Sequence, residues 1–168
     1  LNLIISEIST NPDNAKELVY DLSDLLRSTV KMSQSNFTRV SAELEVVESY
    51  FKLQQKRFSD RLDFELNIAP ECAGLLLPSL LLQPVAENTI KHAVAPYANK
   101  AHIKIQVSLV ANGKQKKPQL EIQINDSGPQ FEVAQIKEGD GFRILRQTLR
   151  LHYPGEHYIA LESTLNGG

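Results

Sequence analysis

Apolar residues recur at steps of three and four through the first third of the chain, then largely at steps of two, so helices should give way to a region of mixed helix and strand. Leu1, Ile4, Ile5 and Ile8 fall at helical spacing, and Asn11-Pro12-Asp13 reads as a cap with proline in the first turn of a second helix. That helix runs from Pro12 to Met32, with Ala15, Leu18, Val19, Leu22, Leu25, Leu26 and Val30 on one stripe and charged residues opposite. Ser33-Gln34-Ser35-Asn36 is a polar break. After it, Ser41 is the expected N-cap of a third helix reaching about Phe58, with Glu43 and Glu45 in its electropositive first turn. Its stripe of Leu44, Val47, Tyr50, Phe51 and Leu53 suits packing on the preceding helix, giving a hairpin of the kind that completes a bundle by dimerising.

Beyond Ser59-Asp60, Leu62, Phe64, Leu66 and Ile68 alternate with Asp63, Glu65 and Asn67, the signature of a half-buried strand that Pro70 and Gly74 end. Pro78 opens the apolar run Leu80-Leu81-Leu82, which passes through Pro84 into a helix ending near Ala95-Pro96. Ile103, Ile105, Val107 and Leu109 predict a strand, Asn112-Gly113-Lys114 a reversal, and Leu120, Ile122 and Ile124 an antiparallel return. Phe142 to His152 reads as helix and Tyr158 to Thr164 as a final strand. The expected class is α+β: a helical hairpin over residues 1–60, then helices on one face of a mixed sheet over residues 61–168.

Composition narrows the function classes. The 168 residues are 42% apolar and 23% charged, values of an ordinary globular protein. A net charge of -2 supplies no global positive field for nucleic acid or an anionic membrane, so any anion site must be local. Cys72, the single cysteine, excludes an internal disulfide framework and reads as a small buried apolar residue. No window approaches the roughly 20 apolar residues that cross a bilayer, and there is no signal segment. The chain starts without methionine and ends in Gly167-Gly168, so it is expected to be a soluble piece of a longer protein whose membrane parts lie elsewhere.

Candidate chemistry concentrates on the helix after Pro84. At about 100° per residue, Glu87, Asn88, Lys91 and His92 share an arc of roughly 140°, while Leu82, Val85, Ala86, Ile90, Ala93 and Val94 fill the remainder. Magnesium bound to phosphates keeps most of its ligands as water and phosphate oxygen, so the amide oxygen of Asn88 is a sufficient protein ligand. Glu87 suits accepting a proton or orienting a nucleophile, and Lys91 and His92 suit phosphate oxygens. A Glu-to-Lys pair four residues apart is equally a routine feature of surface helices, worth a few tenths of a kcal/mol, so this helix alone decides nothing. Asp126-Ser127-Gly128 closes a predicted strand, where a carboxylate can accept from an exocyclic amine and a glycine permits close approach. Gly139-Asp140-Gly141 precedes a helix and can offer backbone donors to phosphates. Each of these two is also an ordinary turn sequence.

Their order is more specific than any one of them: Glu87-Asn88-x-x-Lys91-His92, then Asp126-x-Gly128, then Gly139-x-Gly141. This resembles the ATP-binding superfamily that contains gyrase, histidine kinases and MutL, the GHKL or Bergerat-fold group. Leu81-Leu82-Gln83-Pro84-Val85-Ala86-Glu87-Asn88 with Lys91-His92 is similar specifically to LytS/YehU-type sensor histidine kinases. Arg39-Val40-Ser41-x-Glu43-Leu44 through Tyr50, Gln54-Gln55-x-Arg57-Phe58 and Arg61-Leu62 resemble that group's second helix and its exit.

The resemblance implies a two-layer α/β sandwich of the histidine-kinase ATPase type behind truncated dimerisation and phosphoacceptor helices. It implies Mg-ATP as cofactor, Asn88 on magnesium, Glu87 as base or positioning group, Lys91 and His92 on phosphates, Asp126 on adenine, and Gly128, Gly139 and Gly141 shaping pocket and lid. It implies a homodimer through the N-terminal helices, a response-regulator receiver domain as partner, no nucleic acid, and a cytoplasmic location beneath a bacterial inner membrane. The group's acceptor histidine lies in a box ending Phe-Asn-x-Leu-Asn, which Leu1-Asn2 resembles, so the acceptor is expected outside this chain. Two positions depart from the pattern: Gln130 replaces a glycine, and Ile144 an asparagine. They keep open a rival reading, a degenerate nucleotide-binding or purely protein-binding relay.

Overall fold

The computed structural model describes residues 2–111, 118–128 and 140–160. Helix α1 (Asn2–Thr10) gives way at Asn11, whose side chain accepts the Asn14 amide at 3.2 Å and caps α2 (Pro12–Ser33), with Pro12 in the first turn as expected. Helix α3 (Val40–Phe58) packs against α2, and Lys56 ties the two, its Nζ 2.7 Å from Asp21 Oδ2 and 3.3 Å from Glu17 Oε2. Of the α2 stripe, Ala15, Leu18 and Leu25 are buried, whereas Val19, Leu26 and Val30 face outward.

The segment between α2 and α3 holds an element that periodicity did not predict. Strand β1 (Phe37–Arg39) pairs antiparallel with β3 (Leu76–Pro78), Phe37 opposite Pro78 and Arg39 opposite Leu76. Three residues are too few for an alternating pattern to register. Because β1 runs straight into α3, the helix starts at Val40 behind Arg39, with no side-chain cap, and Ser41 is not its N-cap. Glu43, expected in the electropositive first turn, lies there and is 1% exposed.

The main sheet has the order β2-β4-β5. β2 (Leu62–Ile68) lies parallel to β4 (Ala101–Val110), and β5 (Gln119–Asp126) returns antiparallel, with Ile105 opposite Ile124 and Val107 opposite Ile122. A parallel pair needs a long crossover, and α4 (Gln83–Thr89) occupies it, continuing into one turn of π-helix, Ile90–Val94. The π turn is marked by the Ala95 amide reaching back five residues to the Ile90 carbonyl at 2.9 Å.

One core joins these elements: Val47, Phe51 and Phe58 of α3, Ala86, Ile90 and Val94 from the α4 region, and Ile103, Ile105 and Val107 of β4. Phe51 is wholly buried, its ring 5.2 Å from that of Phe64, and truncation of such a side chain typically costs about 3–5 kcal/mol. The opposite sheet face is polar, with Asp63, Glu65, His102 and Gln123 exposed. Helices on one face of a mixed sheet make the α+β sandwich that the pattern predicted.

Helix α5 (Asp140–His152) covers the expected segment and packs on α4. Cys72 is buried, as expected. Of the strand expected over Tyr158 to Thr164, residues 158–160 show no strand pairing, and 161–164 lie outside the described residues. The reversal at Asn112-Gly113-Lys114, and Gln130 and Gly139, also lie outside them.

Candidate functional site

The site is built around α4, and α4 is set by the turn that enters it. Leu80 sits at φ 60°, a left-handed conformation uncommon for a branched side chain. The carboxylate of Glu43 accepts the Leu80 amide on Oε1 and the Leu82 amide, at 3.0 Å, on Oε2. Burial pushes this carboxyl above its ordinary range, opposed by the amides of Leu82, Leu80 and Leu81. The Ser79 amide is carried by the Asn36 carbonyl, so the turn hangs on β1 and α3 together.

From that start α4 separates a dry side from a wet one largely as the angular argument predicted. Val85, Ala86, Thr89, Ile90, Ala93 and Val94 are buried, Glu87, Lys91 and His92 are exposed, and Asn88 is half-buried. The wet residues do not all serve one wall. Glu87 accepts from Gln83 Nε2 at 2.9 Å, and its charge is felt by Tyr50 of α3. Burial, then Glu87, pushes that phenol up to about 12, against the opposing effect of Arg57. Glu87 therefore faces the α3 seam, about 100° around the helix from Asn88.

Asn88 lies where two glycines close on α4. A Cβ on Gly141, in the first turn of α5, would stand 2.5 Å from the Pro84 carbonyl oxygen and 3.1 Å from Asn88 Cβ. A Cβ on Gly128 would stand 2.8 Å from Ala93 Cβ and 2.8 Å from Asp126 Oδ1. Both contacts require the absence of a side chain, so the end of β5 and the start of α5 approach α4 at positions about 7 Å apart along its axis. Asn88 lies at the Gly141 contact, and Lys91 and His92 are exposed on the stretch of chain between it and Ala93. Asp126 Oδ1 accepts the Gly128 amide at 2.9 Å, and the Ser127 amide and hydroxyl both bond His102, so the turn that presents this carboxylate is fixed to the edge of β4. Asp126 itself is exposed, and a carboxylate committed at one oxygen retains capacity for an outside donor.

Among the predicted site residues, the structure brings Gly141 against Pro84 and Asn88 and brings Gly128, with Asp126 Oδ1 beside it, against Ala93, while Lys91 and His92 are exposed and Glu87 faces α3. Gly139 falls outside the described residues. Glu43 was not anticipated as part of this arrangement. Its signal was in the sequence: it lies three residues after Val40 and four before Val47, a carboxylate within an apolar stripe.

Chemically, this stretch offers an amide oxygen, two cationic or donor side chains, a peripheral carboxylate, and the positive end of the α5 dipole. Among the described residues no three metal-binding side chains cluster. A magnesium ion that takes most of its oxygens from a triphosphate needs only one or two protein oxygens, and the half-buried Asn88 beside Gly141 can supply one.

Comparison with known proteins points in one direction. Residues 1–62 match the model of the family described as histidine kinase. The sensor histidine kinase YpdA of Escherichia coli is 33% identical over 128 residues, which are 76% of this chain and 21% of that protein. The sensor protein LytS of Staphylococcus saprophyticus is 33% identical over 122 residues, 67% of this chain and 21% of LytS. The chain thus spans about a fifth of the length of these relatives. In fold, it is similar to the histidine kinase domain of the blue-light activated histidine kinase from Erythrobacter litoralis EL346, with a TM-score of 0.50 at 14% identity, covering 89% of this chain and 72% of that one.

Proposed function

The chain belongs to the LytS-type sensor histidine kinases, and we propose that it is the module of such a kinase that binds Mg-ATP along α4. One observation carries this reading: Gly128 and Gly141 bring the end of β5 and the start of α5 against α4 on either side of Asn88, leaving a polar strip between walls that only glycine permits.

In this reading Asp126 receives the exocyclic amine of adenine, and Gly128 lets the base lie close to Ala93. Lys91 and His92 face the phosphates, and the first-turn amides of α5 add donors at the positive end of that helix. Asn88 holds the magnesium ion, which neutralises phosphate charge when bound. Little covalent chemistry falls to the chain, whose contribution is alignment and electrostatic support. Glu87, on the α3 side, is placed to orient what arrives from the helical hairpin. The γ-phosphoryl group is proposed to pass to a histidine outside the chain and then to an aspartate of a response-regulator receiver domain.

The hairpin supports a homodimer. Ile5, Ile8, Val19, Leu26 and Val30 are exposed, and Ile4, Ile8, Ala15, Val19 and Tyr20 line a hollow of about 390 Å³ between α1 and α2. No helix among the described residues is long and apolar enough to cross a membrane. A place on the cytoplasmic side of a bacterial inner membrane, anchored by other parts of the protein, fits the bacterial sensor proteins that the chain resembles. Ile144, apolar and 42% exposed on α5, favours a second reading in which the module relays signals through protein contacts without transferring phosphate.

Nucleotide selectivity tests the first reading. The chain should bind Mg-ATP more tightly than Mg-GTP in calorimetry, Asp126→Ala should abolish the preference, and Asn88→Ala should abolish the gain from magnesium. Equal ATP affinity and selectivity in wild type and Asp126→Ala would refute the adenine assignment.

A further inference from the structure

Glu43 stands apart from every other acidic residue described here. It belongs to α3, on the hairpin side, yet both of its oxygens are spent on the turn that enters α4. Burying a carboxylate is expensive, and a well-packed apolar side chain of similar volume is often as stable or more so. What an apolar side chain cannot do is satisfy two inward-pointing amides, at Leu80 and Leu82, in a turn whose first residue is already in the left-handed region. Helix α4 has no side-chain cap of its own at Leu82, so Glu43 is the side chain that accepts amides where the helix begins.

We infer that Glu43 is a positioning residue: from α3 it pins the Leu80–Leu82 turn and thereby fixes where α4 presents Asn88 to the magnesium and phosphates. The path is short and continuous. Leu82 accepts the amides of Val85 and Ala86 at 3.1 and 2.9 Å, which starts the helix, and the Pro84 carbonyl in that first turn is what Gly141 abuts beside Asn88. The same turn is also held by the pairing of β1 with β3 and by the carbonyl of Asn36, the residue before β1, which accepts the Ser79 amide. Displacement of α3 along its axis is therefore delivered to α4 through Glu43, giving the hairpin a mechanical hold on the site. Glu43 touches neither nucleotide nor metal. Its role is distinct from those of Asn88 and Asp126, although the inference rests on the nucleotide reading of that strip.

Glu43→Gln preserves volume and removes one acceptor, so one of the two amides meets an NH₂ group instead of an oxygen. In the 168-residue chain, amide hydrogen exchange at Leu80 and Leu82 should accelerate about tenfold or more, while β4 amides keep their protection. Calorimetry of ATP with and without Mg²⁺ should show the affinity gained from the metal falling by a similar factor, about tenfold. A purely structural role would leave that metal-dependent gain intact in the folded variant. Glu43→Asp keeps the charge on a shorter stem and should give intermediate values, and it supplies the same readouts should the Gln variant not fold. An unchanged gain from Mg²⁺ overturns the inference while leaving the nucleotide reading in place. Failure of the wild-type chain to bind Mg-ATP overturns the nucleotide reading, and the positioning role with it.

Discussion

Replacing Gly141 with alanine should destabilise the protein, although the same change in most helices does the opposite. Gly141 is the second residue of α5, and its φ lies outside the left-handed region, so its backbone suits alanine. Helix propensity alone would then favour alanine by about 0.5–1 kcal/mol. The new Cβ, however, would stand 2.5 Å from the Pro84 carbonyl oxygen, about 0.9 Å inside the 3.4 Å at which ordinary contact begins, and 3.1 Å from Asn88 Cβ. A carbonyl within a helix and a Cβ cannot swing aside as a long side chain can. Overpacking of this kind costs about 1–3 kcal/mol, leaving a net loss of up to about 2.5 kcal/mol once propensity is credited. For a chain of this length each kcal/mol of that loss corresponds to a fall in Tm of about 2–4 °C. Thermal melts followed by circular dichroism measure it, with Gly74→Ala as the reference, since nothing lies within 4 Å of the Cβ there. Because relief requires α5 to move away from α4, Mg-ATP affinity should fall together with Tm. A Tm equal to or above that of wild type would refute the close approach of α5 to Pro84 and Asn88.

Other consequences can be measured directly. In a spectrophotometric titration Tyr50 should ionise near 12, and Glu87→Gln should lower that value by removing a carboxylate charge. No change would mean that Glu87 does not face α3. Glu43, whose carboxyl lies above its ordinary value of 4.5, holds its proton more tightly when folded. Its contribution is therefore complete below the unfolded value and is lost as pH rises through the folded one, so the stability of Glu43→Gln relative to wild type should improve as pH rises above the ordinary carboxyl value of 4.5. A pH-independent difference in Tm contradicts this. Cys72 is buried, and burial raises its thiol, so alkylation by iodoacetamide should proceed only at the rate of opening and accelerate steeply in denaturant. Rapid alkylation of the native chain would show that the residue is accessible.

The elements that declare themselves by repetition were legible in the sequence. Helices α2 and α3 and strands β2, β4 and β5 each run long enough for a period to show, and α4 buries Val85, Ala86, Ile90, Ala93 and Val94 as an angular projection of its residues requires. What escaped was either too short or too dependent on distant partners. β1 and β3 are three residues each and gain meaning only from each other. Nothing in a leucine announces the left-handed conformation of Leu80, which is maintained by a carboxylate 37 positions earlier. The glycines were legible as turn formers, but the surfaces they approach were not. That Gly128 abuts Ala93 and Gly141 abuts Pro84 follows from how the sheet and α5 pack on α4. The division of α4's polar residues, with Glu87 toward α3 and Asn88 toward α5, likewise depends on which neighbours occupy each side.

The central claim is that the polar strip of α4 faces a nucleotide and its divalent ion, not bulk solvent. Thermal unfolding of the chain with and without Mg-ATP tests it most directly. At about 100 times the dissociation constant, ligand should stabilise the fold by about 2.7 kcal/mol, a rise in Tm of roughly 5–10 °C that Asn88→Ala reduces. An unchanged melting temperature at millimolar Mg-ATP would contradict the account.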